Sequence, residues 1–270
     1  MLPGAGYKKG IPMIVEYHRP QSVEEALDLL ARSQPRTVVL GGGLFVNQEQ
    51  KEEIAVVDVQ SLGLSDIQAR GNKLVLGSAV TLQELLVSGQ ASEALEKSIR
   101  HQDPYNRRQV ATVAGTVMAA DGRSPFTTAL LALDPILETV RAGEEAKEDH
   151  LGDFLPLRAE RLSGSLITNL TLPRNAALAY EYVARSPADL PLVSAAVGQW
   201  PSGRTRVVLG GYGDQPVMVL DGPTPDGAAA AARDAYSQAG DAWAQAPYRS
   251  EVAGVLVERC LEGISEEKEG

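Results

Sequence analysis

The sequence predicts a mixed α+β chain built from more than one unit, and three observations carry that prediction. The first is an N-terminal strand, helix, strand pattern of the kind that builds a parallel sheet. The second is a hairpin signal, Gly71-Asn72, between two alternating runs. The third is a succession of three strand-like runs from Tyr180 onward, followed by two helical stretches. At 270 residues the chain has room for two modest domains and a sizeable core.

Residues 12–20 alternate like a strand and stop at Pro20. Ser22 then caps a helix, and Glu25 completes a capping box ahead of Ala26, Leu27, Leu29 and Leu30. A β-branched run, Thr37-Val38-Val39-Leu40, drives into Gly41-Gly42-Gly43 and resumes as Leu44-Phe45-Val46, which reads as a buried strand entering a tight turn. Residues 54–59 form another strand, and the hairpin joins 65–69 to 73–76. Thr81 caps the next helix with Glu84 as its partner, and a further helix covers 91–100. There follows a stretch of small residues, Ala111, Ala114, Gly115, Ala119 and Ala120, with Thr112 and Thr116 between them.

Beyond it, the pattern gives a helix over 125–133 and a strand over 136–140. The charged run 144–149 reads as a solvated turn rather than a metal site, since such runs face water. A strand over 166–173 closes at proline, and a boundary is expected at 174–177. Strands over 180–185, 192–197 and 204–209 then make an antiparallel meander, helices cover 226–239 and 248–261, and the glutamate-rich tail after Gly263 is expected to fray.

Two readings fit the glycine stretch. Glycines permit positive φ and leave backbone N–H groups open to a phosphate or pyrophosphate, which implies a nucleotide cofactor. A short glycine run is also ordinary turn punctuation. The second stretch carries the same pair of readings: a surface on which a bulky flat ligand lies close to the main chain, with two hydroxyls for phosphate oxygens, or a close-packed turn between core elements.

Composition excludes several classes. A formal net charge of -10 argues against nucleic acid or an anionic membrane as partner. No apolar run approaches the roughly 20 residues of a membrane span. Residues 1–10 lack the apolar segment of a secretory signal, so a cytoplasmic location is expected. The single cysteine, Cys260, allows neither an internal disulfide nor a cysteine-rich iron–sulfur site in this chain. His18, His101 and His150 have no metal-ligand spacing, so metal chemistry must come from another chain. A Gly-x-Gly-x-x-Gly fingerprint and a phosphate loop ending in Gly-Lys-Ser/Thr are both missing, against a nicotinamide dehydrogenase or a nucleoside triphosphatase.

The order of these parts resembles the flavin-binding subunit, or medium subunit, of the molybdenum hydroxylases, the group of xanthine dehydrogenases and aerobic carbon monoxide dehydrogenases. Tyr17-His18-Arg19-Pro20, Glu25-Ala26-Leu27 and Gly41-Gly42-Gly43-Leu44 match its opening motifs; Arg108 to Thr116 matches its second hallmark; Leu130-Leu131-Ala132-Leu133 matches its later helix. Ala184 to Asp189, Gly210-Gly211 and Tyr248-Arg249 extend the likeness toward the C-terminus. The resemblance implies a p-cresol methylhydroxylase-type fold: an FAD-binding domain over 11–173, with α/β subdomains over about 11–59 and 60–173, and a C-terminal domain over 177–264 holding a three-stranded antiparallel sheet. It implies flavin adenine dinucleotide as cofactor, and as partners a molybdopterin-containing large subunit and a [2Fe-2S] small subunit, with electrons leaving the flavin for an external acceptor.

On the same basis the cofactor-binding positions are Leu40, Gly41, Gly42, Gly43, Leu44, Phe45, Thr112, Ala114, Gly115, Thr116, Leu162 and Tyr182. Leu162 aligns with an apolar residue near the isoalloxazine in that family, and Tyr182 or Tyr180 is placed against the ring from the C-terminal strand. This chain departs from the motif at Leu44, Phe45, Ala114, Thr116 and Pro125, where the family has threonine, a polar residue, glycine, asparagine and aspartate. Backbone donors survive such changes, because an N–H does not depend on the side chain. Two functions therefore stand: a flavin subunit relying on main-chain contacts, and a flavin-free paralogue acting as a docking subunit. A Gly42→Asp change is expected to abolish flavin retention with the fold largely intact.

Overall fold

The chain's N-terminal sheet is parallel, three-stranded and ordered β1-β3-β2, from β1 (Ile14–His18), β2 (Arg36–Leu40) and β3 (Ile54–Asp58). The computed structural model describes residues 14–44, 46 and 53–269. Helix α1 (Val23–Leu30) connects β1 to β2; Ser22 accepts from the Glu25 amide, and the Glu25 carboxylate accepts from the Gln21 amide. Ala26, Leu27 and Leu30 of this helix pack against Val57, Val59 and Leu166, and all five residues of β3 are buried in consequence.

Next comes a five-stranded antiparallel sheet, ordered β4-β5-β8-β6-β7, from β4 (Ile67–Arg70), β5 (Lys73–Gly77), β6 (Ile136–Arg141), β7 (Lys147–His150) and β8 (Ser165–Pro173). The hairpin expected at Gly71-Asn72 pairs β4 with β5. Inserted between β5 and β6 are α2 (Leu82–Val87), α3 (Glu93–Gln102), α4 (Tyr105–Arg108), α5 (Val113–Met118) and α6 (Pro125–Ala132). Thr81 and Glu84 form the reciprocal capping box at α2. The larger core joins Leu74, Leu76, Leu170 and Leu172 of the sheet to Leu82, Leu85, Ile99, Val113, Val117, Phe126 and Leu130 of these helices. Two short helices, α7 (Leu151–Phe154) and α8 (Arg158–Arg161), with a 3-10 turn at Leu155–Leu157 between them, lead into β8.

The C-terminal sheet corrects the expectation of three strands. It has four, β9 (Ala177–Val183), β10 (Val193–Gln199), β11 (Thr205–Gly210) and β12 (Val217–Gly222), all antiparallel and ordered β12-β11-β10-β9. The additional strand is a short apolar run at the sheet edge, bulged against β11 between Val207 and Val208. Alternation along β10 sends Ala196 to the larger core and Val193, Ala195 and Val197 to a second core under α9 (Ala228–Ala235) and α10 (Ala246–Glu269).

Two local expectations also change. The charged run is a turn only as far as Ala146, after which Lys147–His150 pairs with β6. Helix α10 continues past Gly263 to Glu269, because Ser265-Glu266-Glu267-Lys268-Glu269 contains no helix-breaking residue.

Candidate functional site

Strand β2 ends at Leu40, at the carboxyl end of the parallel sheet, and the chain turns there through Gly41 and Gly42 to Gly43, whose φ is 79°. Crevices outside the carboxyl ends of parallel strands are the usual ligand positions of such sheets. Gln60 braces the turn by donating to the Gly41 carbonyl at 3.5 Å, and its own amide donates to Asp58 at 2.9 Å. The Tyr17 hydroxyl donates to the other Asp58 oxygen, and Arg19 donates to Ser61 at 2.8 Å. Tyr17 and Arg19 are thus the polar ends of the opening motif, and the Asp58 carboxylate raises the Tyr17 pKa. Asp58 and Gln60 were missed from sequence; the signal for the former was an acid closing an otherwise apolar run.

The second stretch is an N-capped helix. Leu82 N–H donates to the Ala111 carbonyl and Val113 N–H to that of Val80, both at 2.8 Å, which ties residues 111–113 to the start of α2. The Thr112 hydroxyl caps α5 by accepting from Gly115 N–H at 3.1 Å.

The two stretches touch. A Cβ on Gly41 would lie 2.9 Å from the Thr112 hydroxyl oxygen, and one on Gly42 only 1.5 Å from the Val110 carbonyl oxygen. Only glycine allows main chain to approach main chain this closely. That contact corrects the expected outcome of Gly42→Asp: any side chain at Gly42 forces the loops apart, so fold and binding change together.

Among the described residues, no acceptor faces the N–H groups of Gly42, Gly43 or Leu44, and all three residues are half-exposed. The amides of α5 differ: Ala114 N–H donates to Ser78 at 3.3 Å, Gly115 N–H to the Thr112 hydroxyl, and Thr116 N–H to the Thr112 carbonyl at 2.8 Å. What α5 retains is the Thr116 hydroxyl, 1% exposed and without a hydrogen-bond partner among the described residues. Amides that have no acceptor among the described residues are donors suited to the anionic oxygens of a dinucleotide.

The other expected residues are distributed as follows. Leu44, Ala114, Leu162 and Tyr182 all pack, half-buried, against the larger core cluster, and Leu162 is the C-cap of α8. Tyr182 stacks on His101, with ring centroids 3.7 Å apart. Phe45 lies outside the described residues. Next to the second stretch, Arg107 donates to the Asp103 carboxylate at 2.5 Å, and Arg108 to Gln83 at 3.2 Å and the Asp103 carbonyl at 2.7 Å. Burial raises the Asp103 pKa, against the lowering influence of Arg107. Among the described residues there is no cluster of three potential metal ligands. No helix there is long and apolar enough to cross a membrane.

Comparison with known proteins identifies the family. Residues 13–175 match the family described as the FAD binding domain in molybdopterin dehydrogenase. The carbon monoxide dehydrogenase medium chain of Afipia carboxidovorans is 26% identical, covering 93% of this chain and 97% of its own. An uncharacterized Escherichia coli protein, YgfM, is 27% identical over 77% of this chain and 79% of its own. The fold matches that of reconstituted CO dehydrogenase from Oligotropha carboxidovorans with a TM-score of 0.78 at 24% identity, covering 93% of this chain and 98% of that one. A parallel sheet ending in three glycines, a capped small-residue helix against it, and a match over residues 13–175 lead to one conclusion: the chain belongs to the FAD-binding domain family of the molybdopterin dehydrogenases, with FAD as its cofactor in an oxidoreductase.

Proposed function

We propose that this chain is the electron-transfer flavin subunit of a molybdenum hydroxylase. In this reading its partners are a molybdopterin-containing large subunit, where substrate is oxidised, and a [2Fe-2S] small subunit that delivers the electrons. An external acceptor takes them away. Bound FAD supplies the redox chemistry, and the protein supplies binding, orientation and electrostatics. The amides of Gly42, Gly43 and Leu44 hold the pyrophosphate, the Thr116 hydroxyl adds a buried donor, and Leu162 and Tyr182 lie toward the isoalloxazine.

The observation that carries the reading is the set of amides at Gly42, Gly43 and Leu44 with no acceptor among the described residues, on a turn held against Thr112 and Val110 by glycine-only contacts. It also explains how the site tolerates Leu44 in place of threonine: the main chain supplies the donors, while the leucine side chain packs into the core.

A visible spectrum of the purified full-length chain tests this reading. Flavin absorption bands, and co-purification with an iron–sulfur subunit when the neighbouring chains are co-expressed, are expected. A colourless preparation that takes up no added FAD overturns it and leaves the flavin-free docking subunit in its place.

A further inference from the structure

The seam between α3 and the C-terminal sheet contains a histidine with no role in the site described above. His101, in the last turn of α3, presents Nδ1 to the Tyr180 hydroxyl at 3.1 Å and Nε2 to the Asp189 carbonyl at 2.9 Å. A carbonyl only accepts, so Nε2 carries a proton and, in the neutral ring, Nδ1 accepts from Tyr180. Burial raises the Tyr180 pKa well above its ordinary value, so its hydroxyl stays protonated. The imidazole is therefore fixed at both nitrogens, and its face lies on Tyr182 at 3.7 Å between centroids, with 28° between the planes.

From this geometry we infer that neutral His101 is a positioning residue for Tyr182, setting the angle at which that ring stands beside the flavin site. The inference rests on the proposed placement of Tyr182 toward the isoalloxazine. Its physical basis is that α3 and β9 meet through this stack, so displacing the imidazole removes the surface that orients the tyrosine.

The surroundings favour the neutral ring. Burial lowers the His101 pKa, and the charge of Lys97 acts in the same direction, against the Asp189 contact. The other groups around it are Glu181, paired with Lys97 at 2.6 Å, the hydroxyl-bearing Tyr180 and Tyr182, and Asp189, paired with Arg185 at 3.7 Å. Protonation puts a second N–H against the Tyr180 oxygen, and that hydroxyl must then turn its proton away. Ser194 Oγ, buried beside Tyr180, is the acceptor for the turned proton. Charging His101 thus reverses the Tyr180 hydroxyl and sets a cation against the Tyr182 ring, changing the field that ring experiences.

NMR of the full chain, with and without added FAD, tests the inference across pH 5 to 8. The Tyr182 ring resonances are expected to move with the His101 titration, at a midpoint below the ordinary imidazole value of about 6.5. Flavin fluorescence in the loaded protein should follow the same midpoint. His101→Phe should keep the stack, retain FAD and abolish both pH responses, whereas His101→Ala should shift the Tyr182 resonances at every pH. Tyr182 resonances that ignore His101 titration overturn the inference, as does an unchanged pH response in His101→Phe. Tyr182 shifts without any accompanying flavin change leave the stack in place and overturn the proposed position of Tyr182; failure to bind FAD at all counts against the flavin reading alone.

Discussion

Thr116 shows how one residue separates binding from folding. A buried hydroxyl without a partner costs stability, so replacing it with an isosteric apolar group removes that cost. Thr116→Val is therefore expected to leave the flavin-free chain as stable, or more stable by about 1 kcal/mol, in urea unfolding. In the flavin-loaded chain the same change removes a donor to a charged oxygen, and FAD affinity should fall about tenfold or more by fluorescence titration. Equal affinity in the variant would move Thr116 out of the site. The other residues that matter at this scale are glycines: a Cβ at Gly42 would fall 1.5 Å from the Val110 carbonyl oxygen, so this position is a packing requirement before it is a binding one.

At the scale of elements, α5 is a six-residue helix whose start depends on Thr112. That hydroxyl caps Gly115 and meets Gly41 on its other side, so one side chain organises both the helix and the glycine turn. Thr112→Ala is expected to cost about 1 kcal/mol, the usual worth of an N-cap, and Thr112→Ser to restore most of it. Hydrogen exchange at the α5 amides checks this: protection should drop in the alanine variant and recover in the serine variant. The N-cap at Ser22 and the capping box at Thr81 were legible in sequence because a cap and its partner lie three residues apart, although at Ser22 the Glu25 carboxylate turns to the Gln21 amide instead of closing the box. Helix α5 was not, since six residues, with a glycine among them and no charge, are too short to show a helical period.

Across the whole molecule, an ion cluster joins the FAD-binding domain to the C-terminal sheet. Asp134, buried at the end of α6 with φ of 52°, accepts from Arg204 at 2.8 Å, Arg206 at 2.6 Å and His150 at 2.9 Å; Asp221 on β12 pairs with both arginines. Asp134, Arg204 and Arg206 line a cleft of about 400 Å³, but with Asp221 the charges neutralise one another, so they act as a clamp between the two parts. Arg204, then Arg206, holds the Asp221 carboxyl at a pKa of about 2, below its ordinary 3.8. A depressed carboxyl stabilises the fold above the unfolded-state value and loses that contribution as pH falls through about 2. Asp221→Asn should therefore cost about 1 kcal/mol at neutral pH, after allowance for solvent screening, and flatten the acid limb between pH 4 and 2 in a pH series of unfolding curves. By itself the sequence determined most of the strands, the helices begun at Ser22 and Thr81, the glycine turn and the family, because each is written in local spacing or in the order of short motifs. Only the tertiary structure decided that Gly42 lies on Val110, that Asp134 receives Arg206, that His101 stacks on Tyr182 and that the last sheet has a fourth strand. Such contacts depend on how distant segments align in space, and neither hydrophobic period nor residue spacing encodes that alignment.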